Sequence, residues 1–248
     1  MHDDSRSVEA RLRQVRSRLI RPNIFGASAP LLIEAWNVPD SPDGTVGEPV
    51  PVEVALAADY QPVEFGHAWA RPWGTTWFRL SGRVPEEWAG AAVEAEIDLG
   101  FFGEGTGFQA EGMLWVELPD GDFGPWRGLH PMNHHVAVTA AAAGGEDVAY
   151  LVEAAANPLI SDWPPDANSD RDTAADRPWY RLGACRLLVL NTDVRALDED
   201  ITALQGLAGQ LPDDSRRHDI VAALSAMLDR LDPLDPVASA AAARAELA

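Results

Sequence analysis

The cleanest pattern in the chain lies at residues 93–99, where Val93, Ala95, Ile97 and Leu99 alternate with Glu94, Glu96 and Asp98. A period of two with one apolar and one acidic side predicts an antiparallel strand buried on one face and wetted on the other. The acidic row therefore reads as a solvated face rather than a metal site. Upstream, Thr76, Phe78 and Leu80 alternate with Thr75, Trp77 and Arg79, which predicts a core strand with Phe78 inward and Arg79 outward. That strand lies inside Trp69–Trp88, which holds four of the nine tryptophans. Rings of that size suit a sheet packed against a second layer.

Further strands are predicted at Leu31–Trp36, Val52–Leu56, 107–118 (with Leu114, Val116 and Leu118 on one face), 134–139, 148–154 and 184–191. Pro119–Asp122 has the residue chemistry of a hairpin turn, and long loops rich in Pro and Asp run at 39–51 and 157–180. Many short strands with turn signals between them indicate a two-sheet, jelly-roll-like sandwich.

The period becomes helical at both ends. At residues 5–21, Val8, Leu12, Val15 and Leu19 form a stripe among Arg11, Arg13, Arg16 and Arg18. Its apolar side holds only small aliphatics, so it is expected to dock on the rest of the protein and not on a membrane. Beyond Asn191, one stripe runs Leu197, Ile201, Leu204 and Leu211. A second runs Ile220, Leu224, Met227, Leu228 and Leu231, opened by the capping candidates Asp213, Asp214 and Ser215. Asp232–Pro236 stops it, and the alanine-rich Val237–Ala248 reads as the start of another helix cut short. These stripes need apolar counterparts, met partly by one another and partly by a missing partner or a second copy. The expected class is mainly β: an antiparallel β-sandwich with an N-terminal helix and C-terminal linker helices, divided at 1–25, 26–191 and 192–248.

Composition narrows the function. The 248 residues carry a net charge of −20, and all 19 basic residues are arginine. So acidic a surface repels phosphate backbones and anionic membranes, so neither nucleic acid nor membrane is an expected partner. The single Cys185 excludes an intramolecular disulfide and a Cys-based zinc site, and its apolar setting predicts a buried, inert thiol. Met1–Ser5 lacks the apolar core of a signal peptide, and no apolar run approaches a membrane span, so the cytoplasm is expected.

No familiar chemical constellation fits. The glycines of 100–107 miss the dinucleotide spacing because position 108 is Phe. His130 and His134 are four apart, but Pro131 stands between them and no glutamate adjoins His130, so this is no helical zinc motif. Asp166–Asp172 opens like a calcium loop but has Arg171 at the glycine position and Arg177 at the glutamate position, and reads as a solvated acidic loop. There is no Gly-x-Ser-x-Gly. His67, His134 and His135 read as satisfied polar residues near sheet edges. Catalytic, cofactor and metal residues are therefore all expected to be none.

Several runs carry a resemblance when taken in order. They are Trp73-Gly-Thr-Thr-Trp-Phe-Arg79, Val84-Pro-Glu-Glu-Trp88, Asp98-Leu-Gly-Phe101, Gly107-Phe-Gln-Ala-Glu-Gly112 and Glu153-Ala-Ala-Ala-Asn-Pro158. Together, over roughly residues 20–235, the chain resembles the non-catalytic N-terminal domain of class II α-mannosidases, glycoside hydrolase family 38, in its cytosolic and bacterial branch. The resemblance implies a β-sandwich whose helical segment leads into a catalytic (β/α) domain, expected to begin where this sequence stops. It also implies a divalent metal in that domain, held by a His-x-Asp motif and later Asp and His residues. No His-x-Asp here precedes an apolar, tryptophan-rich strand end, so the chain is expected to be inactive alone and to need no cofactor itself. It would then be a structural or accessory part of the enzyme, partnered by the catalytic domain. The alternative is a free-standing carbohydrate-binding module. Core burial of Trp73, Trp77 and Trp88 favours the first, and a coplanar exposed pair the second.

Overall fold

The computed structural model describes residues 5–42, 47, 49–103, 105–107, 109–119, 121–158 and 177–247. The chain forms two compact units, residues 28–188 and residues 1–27 with 189–248.

The strands are β1 (Phe25–Pro30), β2 (Leu32–Asn37), β3 (Gln61–Val63), β4 (Ala68–Trp69), β5 (Thr75–Arg83), β6 (Ala92–Ile97), β7 (Glu111–Glu117), β8 (Phe123–Leu129), β9 (His135–Thr139), β10 (Asp147–Ala155), β11 (Tyr180–Arg181) and β12 (Cys185–Leu190). They make a four-stranded sheet ordered β1-β12-β6-β9, a six-stranded sheet ordered β3-β2-β5-β10-β7-β8, and a small β11-β4 pair. Neighbours such as β5 and β10, or β6 and β9, run antiparallel. This is the expected antiparallel jelly-roll sandwich.

The inner faces supply the core. Val93, Ala95, Ile97 and Leu99 are each at most 1% exposed, as their alternation predicts. From the other sheet come Phe78, Leu80, Leu114, Val152 and Ala154, all buried. Gly112 keeps the two layers close: a Cβ there would meet the Leu99 Cδ1 at 2.7 Å. Gly100 follows Leu99 with φ +93°, and a Cβ on it would lie 2.4 Å from the Arg181 carbonyl oxygen. Only glycine fits that corner. The Asp98 Oδ1 accepts from the Gly100 and Phe101 amides and holds the turn.

Three expectations need correction. β5 is not buried on one face only: Thr75, Thr76, Trp77 and Phe78 are all buried. The reason is the second correction. Val52–Leu56 is a short helix, α2, and not a strand. Its apolar residues satisfy either period. The helix buries Val52 and Ala55, three apart, and leaves Val54 47% exposed. With Val38, Tyr60 and Leu151 this helix covers Trp77 in a second small core. Third, Leu118 lies beyond the end of β7 and is exposed, although Leu114 on the same predicted face is fully buried. β8, unpredicted, contains Pro125 and two glycines and sits at the sheet edge, where a missing N–H is tolerated. Its register with β7 shifts between Leu114 and Trp115.

The second unit is helical. Residues predicted as one helix form α1 (Ser5–Val15), a π-helical turn (Arg16–Ile20) and a 3-10 turn (Arg21–Asn23). The wider π turn shifts the stripe by one residue, so Ile20 is fully buried and Leu19 only partly. α3 (Thr192–Gln210), α4 (Ser215–Arg230) and α5 (Pro236–Ala245) follow. Asp214 caps α4 by accepting from the Arg216 and Arg217 amides. The alanine-rich end is thus a formed helix, capped by Asp235, with Ala240 and Ala243 buried. Leu12 and Ile20 share one core with Val194, Leu197, Ile201, Leu224, Met227 and Leu228.

Candidate functional site

Chemistry-bearing side chains gather on the outer faces of the two sheets. On the six-stranded sheet, Trp36 pairs with Trp77, Trp77 with Glu153, and Glu153 with Met113, forming one row across four strands. The Trp77 and Trp115 rings lie 5.7 Å apart. The Trp115 Nε1 donates to the Glu153 Oε2 at 3.3 Å. Burial raises the pKa of this carboxyl, and the indole hydrogen bond only partly offsets it. Beside the row, burial pushes the Tyr60 phenol up to about 12 against the opposing pull of Arg79. With Trp77 fully buried, this is a packed aromatic cluster and offers no open platform for a ligand.

Among the described residues, most tryptophans are buried or half-buried. Trp69 is fully buried, donates through Nε1 to the Leu99 carbonyl at 3.0 Å, and stacks on Tyr180 with centroids 5.5 Å apart. Trp77 and Trp88 are buried, and Trp73 is half-buried. Trp73 adopts a left-handed φ of 71°, next to Ala70 at 34°. Among the described residues Trp126 is the one exposed tryptophan, and no coplanar exposed pair occurs.

Burial pushes the Cys185 thiol up to about 12, as an inert core residue requires. Burial also lowers the pKa of His67, at the mouth of β4. His130 accepts from the Met132 amide within a turn, and so is separated in role from His134. The calcium-like run Asp166–Asp172 lies outside the described residues.

On the four-stranded sheet the structure brings together residues that the sequence reading kept apart. Glu96 on β6 pairs in register with His135 on β9. The His134 and His135 rings are 4.6 Å apart. Glu96, His134 and His135 each offer a ligand atom within 4.8 Å of the others, and are the one metal-capable group among the described residues. Linear spacing carries no trace of this, because strand pairing alone joins position 96 to 135. The only sequence signal was the adjacent histidine pair itself.

Residues 29–187 match the family model "Alpha-mannosidase, jelly roll domain". The chain belongs to this family. The α-mannosidase jelly-roll domain is 28% identical over 205 residues to human Alpha-mannosidase 2C1, covering 80% of this chain and 17% of that protein. It is 26% identical over 204 residues to the mouse Alpha-mannosidase 2C1, again covering 80% and 17%. The chain therefore spans about one sixth of the length of these curated relatives. A Faecalibacterium prausnitzii β-glucuronidase structure aligns with 66% of the chain and 31% of its own, at 16% identity and a TM-score of 0.32. No helix among the described residues of the jelly-roll protein is long and apolar enough to cross a membrane.

Proposed function

We propose that this chain serves an α-mannosidase of glycoside hydrolase family 38 as its non-catalytic N-terminal part, shaping and supporting the enzyme rather than turning over substrate. The observation that carries the reading is the burial of Trp69, Trp77 and Trp88 within a domain that matches the α-mannosidase jelly-roll model. Such rings stabilise a sandwich and are closed to a sugar face. Glycoside hydrolysis needs two carboxylates flanking the scissile bond. Glu153, the half-buried carboxyl of raised pKa, is engaged by Trp115 inside a packed cluster. The partner on this reading is the enzyme's catalytic portion, and the reduced, buried Cys185 suits the cytoplasm.

A second reading, a carbohydrate-binding module, is favoured by one observation, the 50% exposed Trp126 on edge strand β8. Calorimetric titration with α-mannobiose separates the two. The scaffold reading expects no saturable heat. Saturable binding that Trp126→Ala abolishes would replace it with the module reading.

A further inference from the structure

We propose that Glu96, His134 and His135 form a binding site for a divalent transition-metal ion of the zinc class. Two imidazoles and one carboxylate are a donor set that suits zinc, with a fourth position left to water. Their ligand atoms lie within 4.8 Å of one another. Zinc with ligands at about 2.0–2.2 Å holds its donors roughly 3.4 Å apart, so closure needs at most about 1.4 Å of approach between any two donors. All three side chains are half-buried, and so are shielded yet reachable.

The surroundings orient the donors. The His134 Nδ1 lies 2.7 Å from the Pro131 carbonyl oxygen. A carbonyl can only accept, so Nδ1 carries the proton and the neutral ring presents its lone pair at Nε2. A backbone carbonyl behind the distal ring nitrogen is the usual outer partner of a metal-binding histidine. The turn carrying Pro131 is itself braced, with the Asn133 Nδ2 donating to the Gly128 carbonyl at 2.7 Å. The Ile97 amide donates to the His134 carbonyl at 2.9 Å, which fixes this residue beside β6. Glu96 is aimed from the other side: the Arg186 Nε donates to its Oε2 at 2.5 Å, leaving Oε1 for the ion. The Arg186 guanidinium opposes a second cation nearby. Glu94 and Asp98, on the same side of the alternation, and the net charge of −20 act the other way. A bound ion would tie β6 to the segment entering β9, at the open edge of the four-stranded sheet.

The test is zinc titration of the untagged, chelator-treated full chain by calorimetry, with melting temperature read in parallel. One zinc per chain and a raised melting temperature are expected. His134→Gln and His135→Gln should each weaken binding at least tenfold, while His67→Gln leaves it unchanged. Absence of saturable binding, or wild-type affinity in both glutamine variants, would overturn the proposal. Histidine side-chain nitrogen spectra of the wild-type chain answer the same question without substitution. Zinc should move the His134 and His135 ring signals and not those of His67 and His218, and the reverse pattern would also overturn it.

Discussion

The Arg79 guanidinium lies over the Tyr60 ring, with its Cζ 4.0 Å from the ring centroid. Its Nη2 also donates to the Leu56 carbonyl at 2.6 Å, so one side chain ties β5 to the end of α2. By its alternation Arg79 belonged to a solvated face. The helix laid over that face turns it into the roof contact of a small second core.

Phe78→Ala should therefore cost about 3–5 kcal/mol, because it leaves a cavity in the main core. Arg79→Ala should cost about 1–2 kcal/mol through the lost cation–π contact and hydrogen bond. Urea midpoints measure both. A wholly silent Arg79→Ala would contradict the contact with Tyr60, and equal losses would contradict the placement of Phe78 in the principal core.

Glu153 gives a pH dependence. Its pKa is raised by burial in the folded chain, so the contribution of this group to stability is present in acid and is lost as pH rises through the folded value. Glu153→Gln, which can still accept from Trp115, should be more stable than wild type at pH 7. That gain should vanish below the ordinary carboxylate range. Urea unfolding of both proteins across pH 3–8 (roughly the span set by carboxyl titration) measures this, and a gain that persists undiminished in acid would contradict it.

In the helical unit, the Arg16 Nε and Nη2 grip both Asp198 oxygens at 2.7 and 3.0 Å, and Arg16 also donates to Thr202 and Gln205. The two side chains are only 13% and 16% exposed. A double-mutant cycle should give a coupling of about 1.5–3 kcal/mol, the range for charged hydrogen bonds out of full solvent. The Arg244–Asp200 pair, 45% and 39% exposed, should show a much smaller coupling. Equal couplings would contradict the screening argument.

The mutual packing expected of the helical stripes is present. Leu12 and Ile20 pack in the core formed by α3, α4 and α5. Ending the chain at Asn191 should therefore strip residues 5–23 of their packing. Hydrogen exchange should show those amides unprotected, with the core of the sandwich still protected. Retained protection at residues 5–23 would contradict the shared core.

The legibility of the chain follows from where each constraint resides. The alternation of β6 is local, so Val93, Ala95, Ile97 and Leu99 sort to the core and Glu94, Glu96 and Asp98 to the half-buried outer face as the sequence predicts. β5 carries the same alternation, but α2, about 20 residues upstream, decides the fate of Trp77 and Arg79. α2 reads equally as a strand, because Val52, Val54, Leu56 and Val52, Ala55 satisfy two periods at once over five residues. The π-helical turn that brings Ile20 inward leaves no mark in composition. The grouping of Glu96 with His134 and His135 depends on non-local register, which only the paired strands disclose.

On the proposed reading, the chain supports an α-mannosidase and does not itself turn over substrate. Hydrolysis of an aryl α-mannoside by the purified chain, with and without zinc, cobalt or calcium, tests it most directly. No turnover above buffer is expected under any of these conditions, including with zinc bound at Glu96, His134 and His135. Metal-dependent turnover that co-purifies with the chain would contradict it.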